Sequence, residues 1–246
     1  MIGSELAGVD QRLPGGAPPV LMYHSVQDYV SDPYRVTVRP ERFARQLRWL
    51  RLRGWTGVGM GELLRAHRRG RARGLVGLTF DDGYADFDDT VVATLREHGF
   101  TATVFVLAHR LGGYNAWDGD GPRKSLMNAE QVRRVARQGM EIGSHGLLHR
   151  PLSELPHTEM VDEVHRSRAE LTELLGVAVE GFCYPYGDLD RRTMREVDQA
   201  GYSYACAVRP ASLACGLAIP RIHVGDRDNE LRLEAKRWRA RLRPVQ

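Results

Sequence analysis

The chain has 246 residues, 42% of them hydrophobic, which suffices for one large domain with a single core and excludes a multi-domain machine or a mainly disordered state. Lys and Arg number 35 against 31 Asp and Glu, a net charge of +4, too small an excess for a dedicated nucleic-acid binder. Only Lys124 and Lys236 are lysines, an arginine skew that by itself names no partner.

Residues 1–19 read as a flexible leader, rich in Gly and Pro and ending in Pro14-Gly15-Gly16-Ala17-Pro18-Pro19. Glu5, Asp10 and Arg12 lie where a signal peptide would be apolar, and no run approaches the roughly 18 apolar residues of a membrane span, so a cytoplasmic protein without a membrane span is expected. From Val20 onward short apolar runs alternate with amphipathic stretches. Strands are expected at Val20–Tyr23, Leu75–Phe80, Thr101–Leu107, Glu141–Ser144, Gly181–Tyr184, Tyr202–Val208 and Ala218–Val224. Helices are expected at Pro40–Arg53, Asp89–His98, Asn128–Gln138, Leu155–Leu175 and Arg191–Ala200. Repeated βα units with buried, non-alternating strands predict a parallel sheet in one domain over 20–225, closed or distorted into a (β/α) barrel. Residues 226–246 form a basic tail with helical character, carrying Arg232, Lys236, Arg237, Arg239, Arg241 and Arg243. Arg65 to Arg73 reads as a basic, solvated connector.

The three cysteines, Cys183, Cys206 and Cys215, show no CxxC spacing and read as buried small apolar residues, neither a disulfide framework nor a zinc cluster.

In such barrels chemistry sits at the C-terminal strand ends, which here hold His24, the pair Asp81-Asp82, and His145 with His149, while Arg221 and His223 lie in the last strand. Adjacent carboxylates repel, so Asp81-Asp82 points either to a cation or to one helix cap beside one solvated acid. His145 and His149 stand i, i+4, and a helical turn over Gly146–His149 would aim both imidazoles at one ion. Two imidazoles and a carboxylate leave coordination positions open, the donor set of a catalytic divalent ion. Trp117, in a Gly-rich loop after Thr101–Leu107, is either a ring for stacking on a sugar or a packing residue.

Thr79-Phe80-Asp81-Asp82-Gly83 and Ser144-His145-Gly146-Leu147-Leu148-His149 resemble the first two signature motifs of the polysaccharide deacetylase family, carbohydrate esterase family four. Val20-Leu21-Met22-Tyr23-His24 and Phe182-Cys183-Tyr184-Pro185-Tyr186-Gly187 fit the same family. The resemblance implies a distorted (β/α) barrel and hydrolysis of an N-acetyl group on an amino sugar by metal-activated water. It makes Asp82, His145 and His149 ligands of one divalent ion, zinc with cobalt or nickel as alternatives, Asp81 the general base, and the Tyr186 backbone N–H an oxyanion donor. Its partner would be an N-acetylated carbohydrate, with no nucleic acid involved; a small non-sugar amide and a silent carbohydrate-binding module stay open as alternatives.

Two features depart from the family's pattern. Cys183 stands where the third motif begins with an arginine, and Arg221 is the candidate replacement, since a guanidinium pairs bidentately with a carboxylate. The late Leu-x-His motif that supplies the general acid is not evident near the C-terminus; His24 on the first strand resembles the arrangement of the circularly permuted branch and would be the acid, facing the metal from the side opposite the base. His223 is its rival.

Overall fold

The computed structural model describes residues 16–208 and 215–242. Residues 1–15 of the expected leader and Arg243 of the tail lie outside the described residues. In chain order the elements are β1 (Val20–Tyr23), β2 (Ser25–Val26), β3 (Thr37–Val38), α1 (Pro40–Leu52), β4 (Thr56–Val58), α2 (Met60–Arg68) and β5 (Leu75–Phe80). A π turn, Phe87–Val91, then runs into α3 (Val92–Glu97), followed by β6 (Thr103–Val106), α4 (Ala129–Arg137) and β7 (Glu141–Ser144). Next, α5 (His157–Val161) joins α6 (Ser167–Leu175) through a second π turn, Asp162–Arg166. The chain closes with β8 (Gly181–Cys183), α7 (Arg191–Gln199), β9 (Tyr204–Ala207), β10 (Ile219–Pro220), β11 (Ile222–His223) and α8 (Glu230–Leu242).

Local chemistry explains the helix boundaries. Proline at the first position opens α1, whose Phe43, Leu47 and Leu50 share one buried face. Reciprocal capping boxes start α4 (Asn128 with Gln131) and α7 (Asp190 with Thr193). Every residue of β1, β6 and β9 is buried, which is why these strands read as unbroken apolar runs rather than alternating ones.

Nine of the strands form one parallel sheet in the order β10-β9-β8-β7-β6-β5-β1-β11, with β4 beside β5, and β2 pairs with β3 separately. Its two edge strands, β10 and β11, are separated in the chain only by Arg221. The stretch expected as one strand, Ala218–Val224, is therefore interrupted: Ile219 and Pro220 pair with β9, and Ile222 and His223 pair with β1. This one segment bridges the two sheet edges and curls the sheet into the nearly closed barrel expected from the sequence. Between the sheet and the helices that flank it, Tyr23, Phe43, Phe80 and Phe87 form a chain of aromatic contacts with centroids 5.0–5.8 Å apart.

Four elements, β2, β3, β4 and α2, were not expected, and α2 corrects the reading of Arg65–Arg73. Its first four residues end α2, where their charge suits the helix C-terminus. The three-residue strand β4 contains Gly57, too short and too interrupted to show a period. A Cβ on Gly57 would lie 2.3 Å from Leu78 Cδ1 and 2.9 Å from Phe100 Cδ2, so the glycine permits β4 to approach the barrel. No helix among the described residues is long and apolar enough to cross a membrane. Gly57→Ala should destabilise the fold by about 1–3 kcal/mol through overpacking, measured as a lowered urea midpoint; an unchanged midpoint would contradict this account of β4.

Candidate active site

The C-terminal strand ends bring together His24 (after β1), Asp81 and Asp82 (after β5), His145 (after β7) and Arg221 (between β10 and β11). Asp81 is fixed at its backbone by the N–H donating to Tyr23 O at 3.0 Å, and His145 likewise to Val106 O at 2.8 Å. Asp81, Asp82, His145, His149 and Arg221 are all buried.

Arg221 has a fully buried side chain and a partner for each guanidinium donor. Nη1 donates to Asp81 Oδ1 at 2.6 Å and to Thr79 Oγ1 at 3.1 Å, and Nη2 to Asp81 Oδ2 at 2.8 Å and Cys183 Sγ at 3.1 Å. Nε donates to Ala207 O at 3.3 Å. Burial alone would raise the Asp81 carboxyl, but the Arg221 guanidinium outweighs it and holds the group below the usual carboxylate range. Cys183, at the position where the resemblance called for arginine, leaves the space that Arg221 enters from the opposite sheet edge.

Around Asp82 the geometry is different. The Nε2 atoms of His145 and His149 each lie 3.3 Å from Asp82 Oδ1, yet that oxygen has no hydrogen-bond partner of acceptable geometry. His145 Nδ1 donates to Cys183 O at 2.7 Å, which turns its Nε2 lone pair toward Asp82. Burial would raise the Asp82 carboxyl; the two imidazoles reverse this and hold it well below its ordinary range. Three buried lone-pair donors within 4.8 Å of one another, one of them an orphaned carboxylate oxygen, fit a divalent cation. A second group, Asp81, His145 and Cys183, is equally compact. It suits a cation poorly, because the Arg221 guanidinium already contacts both Asp81 and Cys183, and burial pushes the Cys183 thiol up, away from the thiolate a metal needs.

The expected helical turn over Gly146–His149 is absent. Gly146 has φ +85° and His149 φ +64°, left-handed conformations that a right-handed turn cannot contain, so a bend rather than helical spacing brings both imidazoles to Asp82. Of the four non-glycine residues with positive φ among those described, three belong here: Asp82 (+73°), His149 and Tyr186 (+59°). Such conformations cost about 1–3 kcal/mol each and persist where surrounding contacts over-determine them.

Trp117 is half-buried and stacks on His149, with centroids 4.4 Å apart and planes at 26°; Tyr186 packs edge-on against the same imidazole at 4.4 Å and 64°. Trp117 thus packs against a candidate ligand rather than standing free. The Tyr186 ring is 58% exposed, at the mouth of the site.

His24 Nε2 lies 3.9 Å from Asp81 Oδ2. The acid and base candidates are neighbours, not opposed across the site as expected. His223 has its ring 6.1 Å from that of His24, and burial, with His24 and Lys236 nearby, pushes it down to about 4. The tail also departs from a free basic surface: Lys236 Nζ donates to His223 O at 2.8 Å and pairs with Asp228. All three cysteines are buried and outside any disulfide, and Cys183 contributes its sulfur to the Arg221 cage.

Sequence reasoning missed four buried carboxylates, Asp86, Glu163, Glu196 and Asp228, of which two brace the site. Asp86 accepts from Ser25 Oγ at 2.6 Å and Val26 N at 3.0 Å, tying β2 to the loop that follows Asp82. Glu163 accepts from the backbone N–H of Leu147 and Leu148. The available signal for Glu163 was its place beside Met160, Val164, Ser167 and Leu171 on the buried helix face, where a charge needs a partner.

A sequence profile described as Polysaccharide deacetylase matches residues 68–205, more than half of the chain. The chain belongs to the polysaccharide deacetylase family. Membership makes this deacetylase-family chain a hydrolase of carbon–nitrogen bonds. It is 24% identical over 207 residues to YxkH of Bacillus subtilis (strain 168), covering 83% of this chain and 69% of that protein. It is 25% identical over 228 residues to the poly-beta-1,6-N-acetyl-D-glucosamine N-deacetylase of Escherichia coli (strain K12), covering 78% of this chain but only 34% of that protein. Its fold is shared by the Streptococcus pyogenes deacetylase PplD solved with acetate, at TM-score 0.74 and 22% identity, covering 89% of this chain and 97% of that one.

The buried pair gives a stability prediction. Arg221→Met should leave an uncompensated Asp81 charge and cost about 3–5 kcal/mol in urea unfolding, and Arg221→Lys should fall short of wild type because an ammonium has three donors for five acceptors. Adding Asp81→Asn to Arg221→Met should recover part of the loss; strictly additive losses would contradict a coupled pair.

Proposed function

We propose that this chain is a divalent-metal-dependent N-deacetylase that hydrolyses the N-acetyl group of an amino sugar within a polysaccharide, oligosaccharide or sugar conjugate. The observation that carries the reading is the convergence of Asp82, His145 and His149 beside an Asp81 carboxylate kept ionised by Arg221. The name of the Escherichia coli relative, a poly-beta-1,6-N-acetyl-D-glucosamine N-deacetylase, supports the substrate class.

Asp82, His145 and His149 would hold the ion, zinc first, with cobalt or nickel accepted by the same donors. The chemistry such an ion supplies when bound is polarisation of the acetyl carbonyl and acidification of water. Asp81, free of the ion and locked in orientation by the bidentate Arg221 contact, accepts the proton of the attacking water. The Tyr186 backbone N–H, in its left-handed turn at the mouth, donates to the oxyanion as the carbonyl carbon becomes tetrahedral. His24, partly exposed beside the base, donates a proton to the amide nitrogen as the C–N bond breaks, releasing acetate and a free amine. His223, kept neutral by its depressed pKa, has no proton to give near neutral pH.

Acetate release from N-acetylglucosamine oligomers tests this reading, and it should stop with a chelator and return with zinc. Asp81→Asn should retain metal and lose roughly 10²–10⁴-fold in turnover, whereas Asp82→Asn should lose metal. His24→Ala should collapse turnover with metal retained and His223→Ala should not; the reverse pattern would reassign the acid. Metal content unchanged in both His145→Ala and His149→Ala would refute the ligand set.

A further inference from the structure

The two candidate ligand imidazoles are oriented by different means. His145 is fixed through its own ring, Nδ1 donating to Cys183 O. His149 Nδ1 is buried with no partner among the described residues, so the usual outer hydrogen bond of a ligating histidine is missing there. Two rings flank it, but its direction depends on the backbone of the loop that carries it, and that backbone is left-handed at both Gly146 and His149.

The loop's carbonyls at Gly146 and Leu147 accept from Ala108 N at 3.1 Å and His109 N at 3.2 Å, while its two central amides share one side-chain oxygen. Glu163 Oε2 accepts from Leu147 N at 2.7 Å and from Leu148 N at 3.1 Å, the two consecutive amides that a bend, unlike a helix or strand, leaves without backbone acceptors. Gly146 is pressed against the same oxygen: a Cβ there would come within 2.9 Å of Glu163 Oε2. On the near side of the loop, Ser144 Oγ accepts from Gly146 N at 3.2 Å and is tied to Ser167 Oγ at 2.9 Å. Glu163 itself is buried and sits in the π turn Asp162–Arg166 that interrupts the α5–α6 helix. Single π turns inside α-helices recur at functional sites, and Glu163 is the residue this one turns toward the loop.

We infer that Glu163 is a positioning residue for the metal site: by accepting both loop amides on a single oxygen it sets the direction of His149 toward Asp82. The inference rests on the ligand set proposed above. It assigns the function to acceptor geometry rather than to charge, which separates the available variants. Glutamine presents a carbonyl oxygen at the same reach and can accept the same two amides. Aspartate keeps the charge but withdraws the oxygen by one methylene, and alanine removes it.

The test is zinc affinity of the metal-free protein, measured by competition with a chromophoric chelator, with circular dichroism and thermal unfolding recorded for each variant. Glu163→Ala and Glu163→Asp should bind zinc about 10–100-fold more weakly, while Glu163→Gln should stay within about 3-fold of wild type, as for conservative replacement of an outer-shell acceptor. Glu173→Gln, at an exposed position of α6, serves as the neutral control. Should Glu163→Ala fail to fold, the aspartate and glutamine variants alone decide. Unchanged affinity in a folded Glu163→Asp or Glu163→Ala overturns the inference, and so does equal weakening in Glu163→Gln, which would trace the effect to charge. If wild type itself binds no zinc, the ligand set fails with it, an outcome distinguishable because it appears before any variant is made.

Discussion

The arrangement depends on one buried contact, the bidentate pair between Arg221 and Asp81. Arg221 occupies the single residue between the two edge strands, where the sheet would otherwise remain open, and its donors reach Thr79 and Asp81 of the β5 end, Cys183 of β8 and Ala207 of β9. Barrel closure and orientation of the base are therefore the same interaction. A buried pair is weak evidence of stability in itself, since desolvation offsets attraction, but it is strong evidence of geometry: five donors in a rigid plane leave Asp81 one orientation.

That fixed carboxylate leaves its neighbour free for a different task. Asp81 and Asp82 are adjacent in sequence, yet the first pairs with a guanidinium and the second faces two imidazoles, so the two carboxylates of a mutually repelling pair are given separate partners. The left-handed backbone at Asp82 turns its side chain away from that of Asp81 and toward His145 and His149. Comparable strain at His149 and Tyr186 points to the same economy. His149 is held from outside its own loop, its ring by Trp117 and Tyr186 and the two preceding amides by Glu163.

The barrel and the chemistry-bearing positions were legible in the sequence because buried parallel strands are continuous apolar runs, and polar residues directly following them stand out. Arg221 was legible by complementation, since Cys183 removed a cation that a buried carboxylate still needed. β4 was not, because three residues around Gly57 carry no period. Nor was the path of the His145–His149 loop: i, i+4 spacing suggested a helix, whereas backbone dihedrals decided otherwise and leave no mark on side-chain pattern. The interruption of the last strand at Arg221 was equally hidden, because Ile219, Pro220, Ile222 and His223 look like one strand until their partners are known. Glu163 did leave a trace, a charge on an apolar helix face, whose meaning needs the loop packed against it.

The central claim is that the two aspartates divide their roles, Asp82 toward a cation and Asp81 toward Arg221. Anomalous diffraction at the zinc absorption edge, from crystals of the zinc-loaded protein, tests it most directly. The account predicts one peak bound by Asp82, His145 and His149, with Asp81 still paired to Arg221. A peak bound by Asp81, His145 and Cys183, with the guanidinium displaced, would contradict it.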